Sequence, residues 1–594
     1  MKSVDPITFQ IVNTRLSGIV QEMQRSLFRT GFSTIIRESQ DASCAILDTQ
    51  GEIVAQHVVL PLHMGAFPAC LRELLNSYPL EEMSEGDAFL VNHPYRGGSP
   101  HVPDMAVITP VVVEGEVAGF CANMAHKTDM GGAVPGSCPA QAREVYLEGI
   151  LIPPIRYVSR FETSREVERI LAANSRTPDL VLGDIRGQVG ANRLGEMRMK
   201  KLISEYGLDT VFSTFSRLFD VTEQRVRSEI LNWKNGTFFG EGFLDNDGID
   251  LMTPVRIHVR VEKEKDRILF DFSGSAEQTA GPANIRPPLV QAVCYYCLIS
   301  LIDPYLPNNY GLARVVETRF RKGSVLDPRF PAPVNAYMMT AHMVTEVVFE
   351  ALGRITPKRR VAASAGSRSI TLAGKSSKTG QGYLQFELFA GGTGGRFGKD
   401  GVSGSPANVS NCCITPVEIL ESEFPIWVDR FELIPDSAGA GEYRGGLGFL
   451  REYSILDDKA IFSSRGDQFL SSPKGIDGGK AGRPGFLSLN PETAEFKSLP
   501  ARNGGVPLEK GDVIQLGTPG GGGWGDPMLR DPERVLRDVR NGYISCQAAL
   551  ELFGVVVREG PEDYILDLAS TREVRQSRQD KIRKTNSIDK FVGP

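Results

Sequence analysis

The feature that most constrains this chain is where its glycines fall. They form doublets at Gly394-Gly395, Gly445-Gly446 and Gly478-Gly479, and a run of four at Gly520 to Gly523. Glycine at that density suits tight turns and close approach of one backbone to another. Residues 366–530 are therefore expected to be β-rich, with short strands between glycine turns.

The first half reads differently. Asp5 is a good N-cap and Pro6 suits the first helical position, and Val12, Leu16, Ile19, Met23 and Leu27 follow at helical spacing. Strand signals come next. Cys44–Leu47 and Ile53–Val59 flank the turn Asp48-Thr49-Gln50-Gly51, Ala88–Val91 is a short apolar run, and Ala106–Val113 and Val117–Ala122 flank Glu114-Gly115-Glu116. Residues 160–232 read as mostly helical. Alternation returns at Val255–Val261 and Ile268–Phe272, and buried helices are expected over Val290–Ile302 and His342–Gly353. The fold class is α+β and multi-domain. The expected regions are 1–234 (mixed, N-terminal), 235–365 (mixed α/β), 366–530 (β-rich), 531–565 (helical) and 566–594 (a flexible tail).

At 594 residues the chain has room for about four compact units. Its formal charge of −6 gives no bulk reason to bind nucleic acid or an anionic membrane. The longest apolar run, Ala292–Ile302, is eleven residues, against the roughly 20 needed to span a bilayer. The start Met1-Lys2-Ser3-Val4-Asp5-Pro6 lacks the apolar core of a secretory signal. Nine irregularly spaced cysteines do not make a disulfide framework, so reduced thiols and a cytoplasmic setting are expected.

Chemistry concentrates in one place. Of seven histidines, five (His57, His63, His93, His101, His126) fall within 70 residues, among Glu38, Asp41, Asp87, Asp104 and Asp129. Histidine with carboxylate suits Mn²⁺, Fe²⁺ or Zn²⁺. With Glu114-Gly115 as a two-residue loop, Asp104 lies opposite position 125 and His126 opposite 103. His101, Asp104 and His126 then meet at one end of that hairpin. With the earlier turn centred on Thr49-Gln50, Asp41 lies opposite 58 and shares an open end with His57 and His63. The register decides both statements. Simpler roles stand beside these: Asp104 as a turn residue after Pro103, Asp129 as a cap before Gly131-Gly132, and single histidines at the surface.

Other motifs carry less. Gly374-Lys375-Ser376 lacks the earlier glycine of a phosphate loop, since that position is Ser369. Gly520, Gly522 and Gly525 match a dinucleotide fingerprint only as any glycine run does. Cys294 and Cys297 sit inside an apolar helical run, where core packing outweighs redox work. Cys121 and Cys138 flank the histidines as minor candidates for a thiolate. No G-x-S-x-G elbow is present.

The segments Asn92–Asp104 (NHPYRGGSPHVPD) and Ala125–Gly132 (AHKTDMGG) resemble the signature of the hydantoinase B/oxoprolinase family. So do Asp5-Pro6-Ile7-Thr8, Arg37–Asp41, Gly391–Arg396, Pro416–Glu421, Gly439–Gly446 and Thr518–Pro527. The resemblance covers about residues 5 to 555. It implies the B-type subunit of an ATP-dependent cyclic-amide hydrolase acting on a hydantoin, 5-oxoproline or a lactam. A separate A-type ATPase subunit would phosphorylate the substrate, in a hetero-oligomer. It also implies a divalent metal (Mn, Fe or Zn) held by Asp41, His101, Asp104 and His126. Glu38 and Asp129 become proton acceptors, and His63 and His93 additional ligands, although relatives carry aspartate where His93 stands. A ketone carboxylase large subunit and a non-catalytic scaffold for the ATPase are the alternatives.

Overall fold

A computed structural model describes residues 4–57, 59–405 and 408–588, with side chains described to residue 580. The chain opens with α1 (Pro6–Thr30), whose first turn is capped by Asp5 Oδ1 accepting the N–H groups of Ile7 and Thr8. A short α2 (Thr34–Arg37) leads into β1 (Ala42–Leu47), β2 (Ile53–His57) and α3 (His63–Ser77). Then come β3 (Ala88–Val91), β4 (Asp104–Val113), β5 (Glu116–His126), β6 (Ile155–Ser159) and β7 (Glu162–Thr163). Helices α4 (Arg165–Asn174), α5 (Pro178–Tyr206) and α6 (Leu208–Leu231) fill the stretch expected to be helical.

The seven strands form one sheet in the order β2-β1-β5-β4-β3-β6-β7. Both faces of its centre are covered, so β1, β4 and β5 are buried almost end to end. Successive side chains point to opposite faces. Ala45, Leu47, Ile108 and Phe120 pack toward α3, whereas Cys44, Ile46, Cys121 and Ala125 pack toward α1 and α5.

The next unit holds β8 (Gly236–Leu244), β9 (Val255–Glu264), β10 (Arg267–Asp271), α7 (Pro287–Ile302), β11 (Val316–Arg319) and α8 (Tyr337–Ile355), with strands in the order β11-β10-β9-β8. Helix α8 lies so close to β8 that a Cβ at Gly240 would fall 1.9 Å from the carbonyl oxygen of Val347. Cys294 and Cys297 are both fully buried in α7, as core residues. One apolar core runs from Ala45 to Val409 through both units.

Residues 366–530 are β-rich, as expected. They contain β12 (Arg368–Lys375), β13 (Gly382–Phe389), α9 (Val417–Glu423), β14 (Ile426–Leu433), β15 (Phe449–Ile455), β16 (Lys459–Arg465), β17 (Phe486–Leu489), β18 (Lys497–Ser498), β19 (Asn503–Glu509) and β20 (Val513–Gly517). Two sheets, β13-β12-β16-β19 and β14-β15-β20-β17-β18, pack around a core that includes Leu372, Phe389, Phe449, Phe462 and Leu516.

Beside this sandwich the glycine runs meet one another. Gly521 N–H donates to Gly446, Gly446 N–H to Thr393, Gly439 N–H to Gly521, and Gly395 N–H to Gly522, over 2.8–2.9 Å. A Cβ on Gly521 would lie 2.0 Å from the Thr393 carbonyl oxygen, and one on Gly446 would lie 1.9 Å from that of Val402. Backbone hydrogen-bonded to backbone leaves no room there for any side chain. Close approach, more than turning, is what these doublets serve.

The C-terminal part departs from expectation. Helices α10 (Pro532–Arg540) and α11 (Cys546–Phe553) are followed by a hairpin, β21 (Val556–Glu559) and β22 (Tyr564–Asp567), inside a segment whose sequence reads as purely helical. Its valines, isoleucine and tyrosine favour strand. In place of the flexible tail expected over residues 566–594, α12 spans Leu568–Ile588. Arg575 and Arg578 tie its start to the main-chain oxygens of Arg530, Leu550, Glu551 and Phe553. Residues 589–594 lie outside the described residues. No helix among the described residues is long and apolar enough to cross a membrane.

Candidate metal centre

The hairpin of β4 and β5 builds the site. Near its turn the pairing follows the tight-loop arithmetic, with Val113 opposite Glu116 and Val112 opposite Val117. Val111 then pairs with Gly119, so Ala118 is an extra residue and the register steps by one. Asp104 consequently stands directly opposite His126, not opposite position 125. The first hairpin also differs from the arithmetic: its loop is the five residues Asp48–Glu52, and Cys44 pairs with His57. His57 has Arg25 of α1 as its charged neighbour and does not join the ligand set.

The ligand types converge from five places: the loop before β1 (Asp41), the start of α3 (His63), the loop before β4 (His101), the first residue of β4 (Asp104) and the last of β5 (His126). One ligand atom each from His101, Asp104 and His126 lies within 4.8 Å of the others. His101 Nε2 is 3.2 Å from Asp104 Oδ2, and Tyr337, the first residue of α8, donates its hydroxyl to the same oxygen at 3.1 Å. The His101 and His126 rings are 5.1 Å apart, and Phe386 covers His126 at 4.6 Å. Main-chain bonds brace the cluster: Asp41 O accepts from His126 N–H, and Pro103 O from Lys127 N–H.

Burial sets the charge states. It pushes His63 down to about 4 and holds His126 well below its ordinary value, so both imidazoles are neutral, the form that ligates metals. Burial, then the nearby Asp104, raises Asp41. Burial also works to raise Asp104, but the pull of His101, His126 and His63 holds its carboxyl below the usual carboxylate range. The fit to a cation rests on the ring nitrogens. Both of His63, both of His126 and Nδ1 of His101 are buried without a hydrogen-bond partner. Buried polar atoms ordinarily find partners. One nitrogen from each of these imidazoles, with the Asp104 carboxylate among them and Asp41 beside it, fits a divalent cation of the Mn²⁺, Fe²⁺ or Zn²⁺ kind.

The remaining candidates are not among those converging ligand atoms. His93 Nδ1 accepts the N–H groups of Tyr95 and Arg96 at 3.1 and 3.2 Å, the work of a turn cap. Asp129 has both oxygens on Arg176 and accepts from Gly131 N–H at 2.7 Å. Glu38 gives Oε1 to Arg37 at 2.8 Å and keeps Oε2 without a partner among the described residues. Cys138 is buried with its thiol pushed up to about 11, against a thiolate there, and burial raises Cys121 likewise.

Sequence reasoning missed Tyr337, which lies 233 positions from Asp104. It also missed Arg465, which donates to Ser369 Oγ and Asn335 O and packs over Phe386. Neither carries a local signal. Lys127 did carry one, between His126 and Asp129. It is fully buried and pushed down to about 8 by desolvation.

Known proteins share the sequence and fold of this chain. The family model described as Hydantoinase B/oxoprolinase matches residues 5–527. The putative B-type subunit of a D-/L-hydantoinase from Pseudomonas sp. (strain NS671) is 34% identical over 97% of this chain and 99% of its own length. The 5-oxoprolinase of Dictyostelium discoideum is 29% identical over 89% of this chain, which spans only 41% of that longer protein. Among solved structures, the ATP-dependent caprolactamase from Pseudomonas jessenii superposes with a TM-score of 0.90 at 28% identity, over 97% of this chain and all of that one. Acetone carboxylase gives the same TM-score at 20% identity over 98% of this chain and 84% of its own, a likeness of fold.

Proposed function

The chain belongs to the hydantoinase B/oxoprolinase family, and we propose that it is the B-type subunit of an ATP-dependent cyclic-amide hydrolase. One observation carries the reading: the orphaned nitrogens of His63, His101 and His126 gathered around Asp104 in a buried pocket. A scaffold would have no use for three buried rings with unsatisfied nitrogens, which destabilise the fold unless a ligand satisfies them.

In this reading an A-type ATPase partner phosphorylates the amide oxygen, making it a leaving group. Relatives named as one component of a hydantoinase and one of a caprolactamase support a heteromeric arrangement. ATP is needed because an unstrained lactam or hydantoin ring resists net hydrolysis. Asp41, His101, Asp104 and His126 would hold the cation, with His63 as an additional ligand. When bound, the cation supplies Lewis acidity and lowers the pKa of water. The chain's own residues do the rest. Tyr337 fixes Asp104, and Phe386 and Arg465 close the site against bulk water. Glu38, with Oε2 free, takes the proton from the attacking water. Asp129, committed to Arg176, holds the loop after β5.

The test is metal analysis of the purified chain beside His101→Ala and His126→Ala. About one equivalent of Mn, Fe or Zn, lost in both variants while each stays folded, is the expected result. A wild-type chain without metal, even assembled with its partner, would overturn the reading.

A further inference from the structure

Two adjoining cavities open beside the half of α8 that points away from the metal centre. One, of about 440 Å³, has the apolar walls Met343, Val347, Val361 and Ile476, with Glu346 among them. The other, of about 640 Å³, presents Lys358, Arg359, Arg360 and Arg396 and no carboxylate. Phe349, Arg360 and Val361 line both, so the cavities share a wall. An acid-free basin of four cations stands out in a chain of net charge −6.

The backbone builds this concentration. Val361 forms an antiparallel bridge with Arg396, and Ala362 N–H donates to Gly395 O at 2.9 Å. The run Lys358-Arg359-Arg360 is thereby held against Arg396. Two of the four cations are matched, Arg359 by Glu229 at 3.0 Å and Arg360 by Asp477. Lys358 and Arg396 have no ion pair among the described residues. The two cations left without counterions, Lys358 and Arg396, favour an anion beside them, and a guanidinium fork suits phosphate oxygens.

Glu346 is one of several polar groups in the wall of the first cavity, beside Glu241, Glu350, Lys474 and the paired Arg360 and Asp477. Glu346 Oε1 accepts from Ser364 N–H and Asn408 Nδ2 at 3.0 and 3.1 Å, while Oε2 makes no hydrogen bond among the described residues. Burial pushes this carboxyl up to about 8, so near neutral pH it is a hydrogen-bond donor to a carbonyl-type oxygen or ring nitrogen. Apolar walls with convergent polar groups are the usual make-up of a small-molecule site, and the volume exceeds that of a five- to seven-membered ring.

We propose that the joined cavities bind a small organic phosphate, with its phosphoryl group among Lys358, Arg359, Arg360 and Arg396 and its ring in the apolar cavity beside Glu346. The assignment of that ligand as the phosphorylated amide rests on the proposed function. Glu346 lies nine residues along α8 from Tyr337, a rise of about 13 Å. The site is therefore separate from the candidate metal centre and is not the place of ring opening.

Calorimetry on the purified full-length chain tests this with inorganic phosphate, phenyl phosphate and ADP as probes, and with cation content read in parallel. Phenyl phosphate is expected to bind about tenfold more tightly than inorganic phosphate. The double variant Lys358→Ala/Arg396→Ala should weaken both at least about tenfold with cation content unchanged. Ala363→Phe, which fills the apolar cavity, should abolish the advantage of phenyl phosphate and leave inorganic phosphate alone. Absence of saturable binding at about 10 mM phenyl phosphate, or equal binding by the double variant, overturns the proposal. Tighter binding of ADP than of phenyl phosphate also overturns it and assigns the basin to a nucleotide. A chain that holds its cation but not phenyl phosphate fails this inference alone. A chain that binds phenyl phosphate but holds no cation fails the proposed function and keeps the site.

Discussion

Asp104 Oδ2 has two partners, the His101 ring at 3.2 Å and the Tyr337 hydroxyl at 3.1 Å. The hydroxyl touches no other ligand and fixes which way the carboxylate faces. Tyr337→Phe should therefore keep the fold and weaken cation retention about tenfold, read by competition with a chelator. Retention equal to wild type would show that the bond does not orient Asp104. A second residue reports through pH. Glu148 is fully buried, accepts the N–H groups of Val334 and Asn335 on Oε1, and leaves Oε2 without a partner. Burial raises its carboxyl from 4.5 to about 8. The folded chain thus keeps a proton that the unfolded chain has lost, and this contribution to stability disappears as pH rises from the lower value through the upper one. Glu148→Gln retains the acceptor and cannot ionise. Its thermal midpoint should fall less than that of wild type between about pH 6 and pH 9, by scanning calorimetry. Parallel curves would place the pH dependence elsewhere.

At the scale of elements, the glycine contacts make the sharpest prediction. Gly521→Ala would place a methyl group 2.0 Å from the Thr393 carbonyl oxygen, in a bundle whose every neighbour is also backbone. Nothing flexible can yield, so the variant should lose at least about 3 kcal/mol or fail to accumulate as soluble protein. Gly18, in the middle of α1, has nothing within 4 Å of its missing Cβ, and Gly18→Ala should gain about 0.5–1 kcal/mol. Equal behaviour of the two variants in thermal unfolding would remove the bundle as a determinant of stability. The same contrast shows what was legible. Periodicity placed α1 and the strand pairs because apolar spacing records burial directly, and Ala88–Val91 coincides with β3. The meeting of His101, Asp104 and His126 was legible because a hairpin is local. The extra residue at Ala118 was not, because a bulge follows from how β5 also pairs with β1: Gly119 has φ +154°, and a Cβ there would lie 2.8 Å from Leu47 O. That one-residue step is what puts Asp104 opposite His126.

For the whole molecule, the candidate metal centre is made by parts of the chain that composition assigns to different regions. Its candidate ligands come from residues 41–126, but Tyr337 and Phe386 complete its walls, and Arg465 packs on Phe386. Such contacts leave no trace in sequence spacing, because only the folded chain sets their distance. The cores confirm the interlocking: one joins Ala45 to Val409, and another joins Val12 to Phe386. The boundary near residue 234 therefore separates composition more than stability. A fragment of residues 1–234 would expose the face of its sheet that α7 and α8 now help to cover. It would also leave the imidazoles of His63, His101 and His126 without Tyr337 and Phe386. Expressed alone it should show no cooperative thermal transition and bind no cation above background, whereas the full chain should do both. A soluble 1–234 fragment that unfolds cooperatively and holds one equivalent of metal would show that the walls supplied from beyond residue 234 are dispensable, and would return the centre to a self-contained N-terminal domain.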